Sequence, residues 1–153
     1  MKKKGLSMVM FVIAIAVVLV LVTAFTTSYE VILRSVRIRE FANEINSLQK
    51  AVDEYKFMNG EYPYKSDDYT FDISTVKGEG YGQFGKTTGT MKFYIIDLNK
   101  LGIDELKRGT TGTNLDVYAV SKENGKVYYL AGEEIAGDYY YTLVDEMEEK
   151  LDI

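Results

Sequence analysis

The sequence predicts an α+β protein in which one long N-terminal helix packs on a small antiparallel β-sheet of three or four strands. No Pro or Gly interrupts residues 6–59, so nothing in this stretch favours an end to the helix. Residues 92–96 form a strand-like run, and Asn124-Gly125 lies between two more such runs. An Asn-Gly pair in that setting is typical of a β-hairpin.

The first part of the helix, residues 6–25, is predicted to cross a membrane once. Only Ser7 and Thr23 interrupt its apolar side chains, and about 20 such residues span a hydrocarbon core of ~30 Å. Three lysines at residues 2–4 precede it, and no charge follows until Glu30. This bias predicts a cytoplasmic N-terminus and an exported remainder, because positive residues flank the cytoplasmic end of a span.

The second part of the helix is amphipathic. Apolar residues recur there at alternating steps of three and four, which places them on one face. This apolar stripe consists of Ile38, Phe41, Ile45, Leu48, Val52 and Tyr55. It is predicted to be a core face rather than a partner site, although in a filament it could serve as both along its length. Asn59-Gly60 and then Pro63 are strong stop signals, so the helix is predicted to end at Asn59.

The remainder, residues 60–153, is predicted to form one globular head. Residues 64–90 lack a sustained period, which predicts a long loop with one short strand at Tyr69–Ile73. Residues 92–96 should be a strand, and residues 97–106 should form one or two helical turns interrupted by Gly102.

The last third of the chain is predicted to be a meander. If the Asn124-Gly125 turn has two residues, Val120 faces Tyr129 and Ala119 faces Leu130. A third strand is predicted at Tyr139–Leu143, and a short acidic helix at residues 145–151.

Several motifs of the N-terminal region together resemble a type IV pilin or a pseudopilin of a type II secretion system. The first is a basic leader, residues 1–5, that ends in Gly5. The second is the helix at residues 6–59, with its apolar and amphipathic halves, and the third is the pair of segments Ala51–Tyr55 and Asn59–Pro63. The resemblance covers about the first 63 residues. It implies no enzymatic activity for the chain and a location in the cell membrane, followed by an extracellular filament.

The resemblance also implies site residues and partners. A prepilin peptidase would cut after Gly5 and methylate the new terminus at Leu6, and the helix would then pack against other pilin-like subunits. Helix packing would involve Met10, Phe11 and the apolar stripe. The family usually has Glu at the position of Met10, where it is thought to pair with the terminal amine of the preceding subunit. Its absence favours a minor or tip-initiating subunit over the bulk subunit.

Composition and motifs exclude most catalytic and ligand-binding classes. The chain has no His and no Cys, so no His-based triad, thiol nucleophile or His-bearing zinc motif is available, and no cofactor is expected. Asp67, Asp68 and Asp72 do not have the spacing of a calcium loop. The net charge is −5, and the part after the leader is more acidic still, so DNA binding is not expected from bulk charge.

A phosphate-loop pattern occurs at residues 80–87, where two glycines five apart precede Lys86 and Thr87. Nucleotide binding is nevertheless not predicted, because Thr87 and the residues after it are poor helix formers and no helix is expected to begin at the Lys.

Two alternatives to a pilin-like subunit stay open. One is a single-pass anchored extracellular sensor or binding domain that does not assemble. The other is a secreted enzyme or adhesin, since residues 22–24 imitate a signal-peptidase site. The N-terminal residue of the cell-bound protein distinguishes the three: Leu6 for a processed pilin, Met1 for an uncut anchor and Phe25 for a secreted product.

Overall fold

A computed structural model gives the fold of the chain. It describes the backbone of residues 3–104, 106–111 and 115–151, and their side chains except at 3–7, 26, 27, 150 and 151. The chain divides into two compact units, Met1–Val36 and Arg37–Ile153. The predicted α+β class is confirmed, because a long N-terminal helix packs against a four-stranded antiparallel sheet.

Helix α1 comprises Lys3–Asn59, 57 residues without a break. It ends where the sequence predicts: Gly60 has a φ of 78°, and its N–H donates to the Lys56 carbonyl at 2.8 Å. A residue with positive φ directly after the last helical residue is the usual C-terminal cap, and Gly adopts it without steric cost. The described part of the first unit consists of the N-terminal part of this helix.

The second unit contains two sheets. Strands β1 (Tyr64–Asp72), β2 (Thr90–Ile96), β3 (Tyr118–Ser121) and β4 (Val127–Tyr129) form an antiparallel meander in that order. Strands β5 (Glu133–Ile135) and β6 (Asp138–Tyr140) form a separate pair, and helix α2 (Asp145–Leu151) follows. Three short 3-10 turns comprise Ile73–Thr75, Gly80–Phe84 and Leu98–Leu101.

Both faces of the four-stranded sheet are buried. Side chains alternate between faces along a strand, so Val120 of β3 packs toward α1 while Ala119 packs on the opposite side. The stripe of α1 covers the first face. The second face is covered by residues of the segment after β1, including Ile73 and Phe84, and by Tyr141. The sheet is therefore the middle layer of the head.

The prediction for residues 64–90 is right about a strand at its Tyr69–Ile73 position and wrong about the loop around it. The segment begins with β1, a nine-residue strand, and continues into two 3-10 turns that bury Ile73 and Phe84. β1 pairs with β2 along one side and lies at the edge of the sheet. Most of its side chains are exposed, and its register shifts on either side of Ser66. An exposed, irregular edge strand carries no clear hydrophobic alternation, which explains why the sequence pattern missed residues 64–68 of it.

The predicted register of the hairpin is also wrong. Val120 pairs with Val127 and Ala119 with Tyr128, two residues away from the predicted partners. The loop is longer than two residues because side chains replace ladder hydrogen bonds: the Ser121 hydroxyl accepts from Glu123 N–H at 3.1 Å, and the Asn124 side-chain oxygen accepts from Lys126 N–H at 3.0 Å. Such side-chain caps favour a wider turn over the two-residue one.

The third predicted strand forms, but it does not extend the meander. β6 covers Asp138–Tyr140, within one residue of the predicted start, and it pairs with β5 instead. The tight turn at Ala136 and Gly137, with φ values of 54° and 89°, folds it back on that nearest strand. Strand β2, the 3-10 turn before Gly102 and helix α2 are confirmed. Of the second predicted turn at 103–106, Glu105 lies outside the described residues, and the other three are not helical.

Candidate functional site

An exposed apolar surface dominates the first unit. Large apolar side chains of α1 are exposed over most of their area from Met8 onward, including Met10 at 66% and Phe11 at 65%. Between Met8 and Val36 the only charged residues are Glu30 and Arg34. Among the described residues, α1 is the one helix long and apolar enough to cross a membrane. This is the surface on which the predicted membrane and helix-packing roles depend.

The exposed apolar surface extends beyond the segment predicted to lie in the membrane. After Phe25, four large apolar residues of the first unit remain at least 48% exposed, and Leu33 is 38% exposed. The four are Tyr29, Val31, Ile32 and Val36. At 1.5 Å per residue, a helix from Met8 to Val36 is about 43 Å long, which exceeds a hydrocarbon core of ~30 Å.

The structure separates the predicted helix-packing residues into two groups. Met10 and Phe11 are exposed, whereas the first five residues of the apolar stripe are at most 1% exposed and Tyr55 is half-buried. The predicted core role of the stripe is thus confirmed, and its described contacts lie within the chain's own core. Gly5 and Leu6 lie within α1, and their side chains are outside the described set.

A buried ion-pair cluster, which the sequence did not predict, connects α1 to the loop after the third 3-10 turn. The Arg108 guanidinium donates two hydrogen bonds to Glu133, both 2.8 Å long, and one to Glu44 at 2.9 Å. The other Glu44 oxygen accepts from the Tyr118 hydroxyl. Only 11% of the Arg108 side chain and 10% of the Glu44 side chain are exposed. We refer to Arg108, Glu44, Glu133 and Tyr118 as the Arg108 cluster.

Asp116 holds the same loop from its other end. Its carboxylate accepts hydrogen bonds from the backbone N–H groups of Gly109 at 2.7 Å and Thr111 at 3.1 Å, and from the Tyr129 hydroxyl at 2.8 Å. Burial alone would raise the pKa of Asp116, but these bonds and one from the Thr111 hydroxyl outweigh it and lower the pKa to about 2. A carboxylate with several donors stays ionised because each donor stabilises the charged form.

The pKa shifts in the Arg108 cluster indicate a structural role rather than a catalytic one. The pKa of Arg108 is raised, chiefly by its hydrogen bonds to Glu133, so the guanidinium stays charged. The pKa of Tyr118 is raised by burial and by the hydrogen bond to Glu44, so its hydroxyl stays protonated and keeps donating. Neither group can exchange a proton near neutral pH. The cluster is therefore suited to fixing the loop against α1 rather than to acid–base catalysis.

The two motifs considered for ligand binding take part in ordinary local structure. Asp72 caps a 3-10 turn by accepting from Ser74 N–H at 2.9 Å, and Asp68 pairs with Lys92 at 3.4 Å. No group of three potential His, Cys, Asp or Glu metal ligands occurs among the described residues. In the segment with the phosphate-loop pattern, residues 80–87, a 3-10 turn ends before Gly85. Lys86 lies in a loop and forms an ion pair with Glu123 at 2.5 Å.

Sequence reasoning missed the Arg108 cluster because its members are far apart in the chain. Arg108 lies in a Gly- and Thr-rich connection, and Glu44 lies on the charged face of α1 among other charged residues. Lys107 directly precedes Arg108, so the sequence does not distinguish the buried cation from an exposed one.

No protein-family model matches this chain, and neither the curated proteins nor the solved structures provide a match. The chain's own residues establish an α+β head and a helix near the N-terminus that is long and apolar enough to cross a membrane.

Proposed function

We propose that the chain is a structural subunit of a type IV pilus or a type II secretion-type filament, made as a membrane-inserted prepilin. In this proposal the N-terminus lies in the cytoplasm and the head outside, and a prepilin peptidase cuts between Gly5 and Leu6. The apolar part of α1 then leaves the lipid and packs against other pilin-like subunits. The proposal rests on the resemblance of residues 1–63 and on one structural observation.

The observation is that the exposed apolar surface of the first unit is longer than the hydrocarbon core of a bilayer. A single anchor needs about 20 apolar residues, yet large apolar side chains remain exposed as far as Val36. Exposed apolar surface of this extent is usually covered by a protein or membrane partner. Packing of such helices against one another covers the surplus in a filament, whereas in an isolated anchored sensor it lies in the polar headgroup region.

Chemical cross-linking tests whether other subunits cover this surface. The chain has no Cys, so Ile32→Cys creates one attachment point for a thiol-reactive benzophenone. In sheared filaments from cells that make the variant, we expect photo-cross-links to a pilin-like protein. Ser66→Cys, on an exposed strand position, is the matched control and should cross-link far less. Cross-linking to lipid alone would support the anchored sensor instead.

Mass spectrometry of the N-terminus tests the processing step separately. The cell-bound protein should begin at Leu6 and carry one methyl group. A terminus at Met1 would support the uncut anchor, and one at Phe25 the secreted product.

Met10 favours a minor or tip-initiating role. Met cannot form the ion pair that the family's Glu is thought to make, and a buried charge that lacks its partner costs several kcal/mol. The Met side chain also avoids the cost of placing a carboxylate in lipid, about 2.5–3.5 kcal/mol at the centre of the bilayer. A subunit that starts the fibre has no earlier neighbour to pair with. Immunogold labelling should find the protein sparsely and near one fibre end, and dense labelling along the fibre would refute this role.

A further inference from the structure

Three tyrosine rings form a row on the surface of the second unit. The ring centroid of Tyr94 lies 5.2 Å from that of Tyr62 and 5.4 Å from that of Tyr64. All three side chains are half-buried, so each ring is fixed by the protein on one side and reaches solvent on the other. Rings at these separations form a continuous aromatic surface about three rings long.

Each ring in this row has a lysine over it. The Nζ atom of Lys56 lies 4.2 Å from the Tyr62 centroid, that of Lys122 lies 4.5 Å from Tyr94, and that of Lys100 lies 5.3 Å from Tyr64. These distances are within the range of cation–π attraction. We call the six residues the Tyr–Lys row.

The lysines of the row form no ion pair with a carboxylate, in contrast to three other lysines of the head. Lys86, Lys92 and Lys107 each form an ion pair with an acidic residue. Among the described residues, no carboxylate oxygen lies within 4.0 Å of an ammonium group of the row.

Oxygen atoms without a full charge hold two of the row's lysines in place. Lys56 donates to the Tyr62 hydroxyl at 2.8 Å, and Lys100 donates to the Tyr64 carbonyl at 3.0 Å. The bond to Tyr62 is the main cause that raises the pKa of Lys56, and the charge of Asp53 adds to it. The row thus presents three ammonium groups, each over an aromatic ring, on a protein whose net charge is −5.

We infer that the Tyr–Lys row binds single-stranded nucleic acid, with phosphates at the lysines and bases on the tyrosine rings. Proteins that bind single strands combine these two features, positive side chains along the backbone and aromatic rings on which bases stack. An exposed lysine side chain can turn from the ring toward a phosphate, which frees the ring for a base. The expectation against DNA binding came from the net charge of −5, and the row is a local exception to it.

The chemistry of the row favours a single strand over other polyanions. Duplex DNA keeps the faces of its bases stacked inside and shows only their edges in the grooves, so the tyrosine rings would have no base to stack on. A sulfated polysaccharide has anionic groups without aromatic bases and would likewise use the lysines alone. Dependence on both residue types is thus the distinguishing property of the inferred site.

Fluorescence anisotropy of labelled dT20 with the full chain in detergent micelles tests the charge component. The triple variant Lys56→Gln, Lys100→Gln, Lys122→Gln should raise the Kd at least about tenfold, since each lysine neutralises one phosphate. The control triple Lys86→Gln, Lys92→Gln, Lys107→Gln changes the net charge equally and should raise it less than about threefold. The salt dependence should also become weaker, by about 0.7 in logarithmic slope per lost contact, in the row variant alone.

A second pair of variants tests the stacking component. Tyr64→Leu removes one ring but keeps the backbone carbonyl that accepts from Lys100, and it should weaken dT20 binding about fivefold or more. Tyr81→Leu, at another exposed tyrosine, should have no effect. Thermal melting of each variant verifies that the head is folded.

The inference is independent of filament assembly, and each contrary result overturns it. Equal losses in the two lysine triples would mean that only bulk charge matters. If heparin or duplex DNA binds as tightly as dT20, and Tyr64→Leu leaves the Kd for dT20 unchanged, the row is a general polyanion site. Failure of the wild-type chain to bind dT20 at low salt would mean that the row has no such ligand.

Discussion

Phe11 and Phe41 belong to the same helix, and they have opposite environments. Phe11 in the first unit is 65% exposed, whereas Phe41 in the second unit is fully buried. The first unit is apolar on all sides of the helix, and the second is apolar on one side only. Both units are helical because their own residues favour a helix. Whether an apolar side chain of that helix is buried depends on whether another part of the chain packs against it. The second unit has its partner in the sheet, and we propose that the first obtains one from neighbouring subunits.

The largest expected effect comes from truncating the buried member of this pair. Phe41→Ala should lower the free energy of unfolding of the head by about 3–5 kcal/mol, because it removes buried surface and leaves a cavity. Phe57→Ala, on the same helix but 91% exposed, should change it by less than about 0.5 kcal/mol. Denaturation by guanidinium, followed by near-ultraviolet circular dichroism in a mild detergent, measures both.

Phe11→Ala extends the comparison to the first unit. It should leave unfolding of the head unchanged but weaken association of the chain with other subunits. A destabilisation as large as that of Phe41→Ala would show that the two units do not differ in the way described here.

A somewhat smaller effect is expected when the Arg108 cluster is broken. Arg108→Met should cost about 3 kcal/mol, because it leaves Glu44 and Glu133 poorly solvated without their cation. Lys107→Met is the adjacent control. Its ion pair with Glu40 is largely exposed and should contribute at most about 1 kcal/mol. Hydrogen exchange should show faster opening of residues 106–111 in Arg108→Met alone, and similar protection in both variants would contradict a clamping role.

The smallest expected effect is a pH dependence that arises from Asp116. Its pKa falls from an ordinary 3.8 to about 2 on folding. A depressed carboxyl pKa stabilises the fold fully above the unfolded value, and this contribution is lost as the pH falls through the folded value. Stability should therefore decline between about pH 4 and pH 2, and Asp116→Asn should make that decline shallower. The control Asp67→Asn, at an exposed position, should retain the steeper decline. If the wild type, Asp116→Asn and Asp67→Asn lose stability identically as the pH falls, Asp116 is not the source of the decline.

Local patterns account for the parts of the fold that the sequence predicted. The continuous helix follows from the absence of Pro and Gly, and its end follows from Asn59-Gly60. Strand β2 and helix α2 also lie where their own residues predict them. In each case the information is contained within a few residues of the element.

The errors occurred where a distant partner decides the outcome. β1 is a strand because β2 pairs with it, although its own side chains are mostly polar. The partner of β6 depends on which strand the turn at Ala136 and Gly137 brings near. Arg108 donates a hydrogen bond to Glu44, which is 64 positions away in the sequence. No local sequence pattern indicates such a contact. The exposed apolar surface after Phe25 was hidden for another reason, because a sequence shows apolar residues but not whether the chain covers them.

The Arg108 cluster also bears on how the hairpin selects its register. In the observed pairing, Tyr118 lies opposite Tyr129, with ring centroids 5.2 Å apart, and their hydroxyls donate to Glu44 and Asp116 respectively. In the register of a two-residue turn, Tyr118 would lie opposite Ala131. That slip keeps every side chain on its own face of the sheet, so the alternation of buried and exposed positions alone does not exclude it. It would, however, separate the two tyrosine rings, and the hydroxyls of Tyr118 and Tyr129 could no longer both donate to Glu44 and Asp116. The two hydroxyl–carboxylate hydrogen bonds therefore favour the observed strand alignment in addition to the packing of the core.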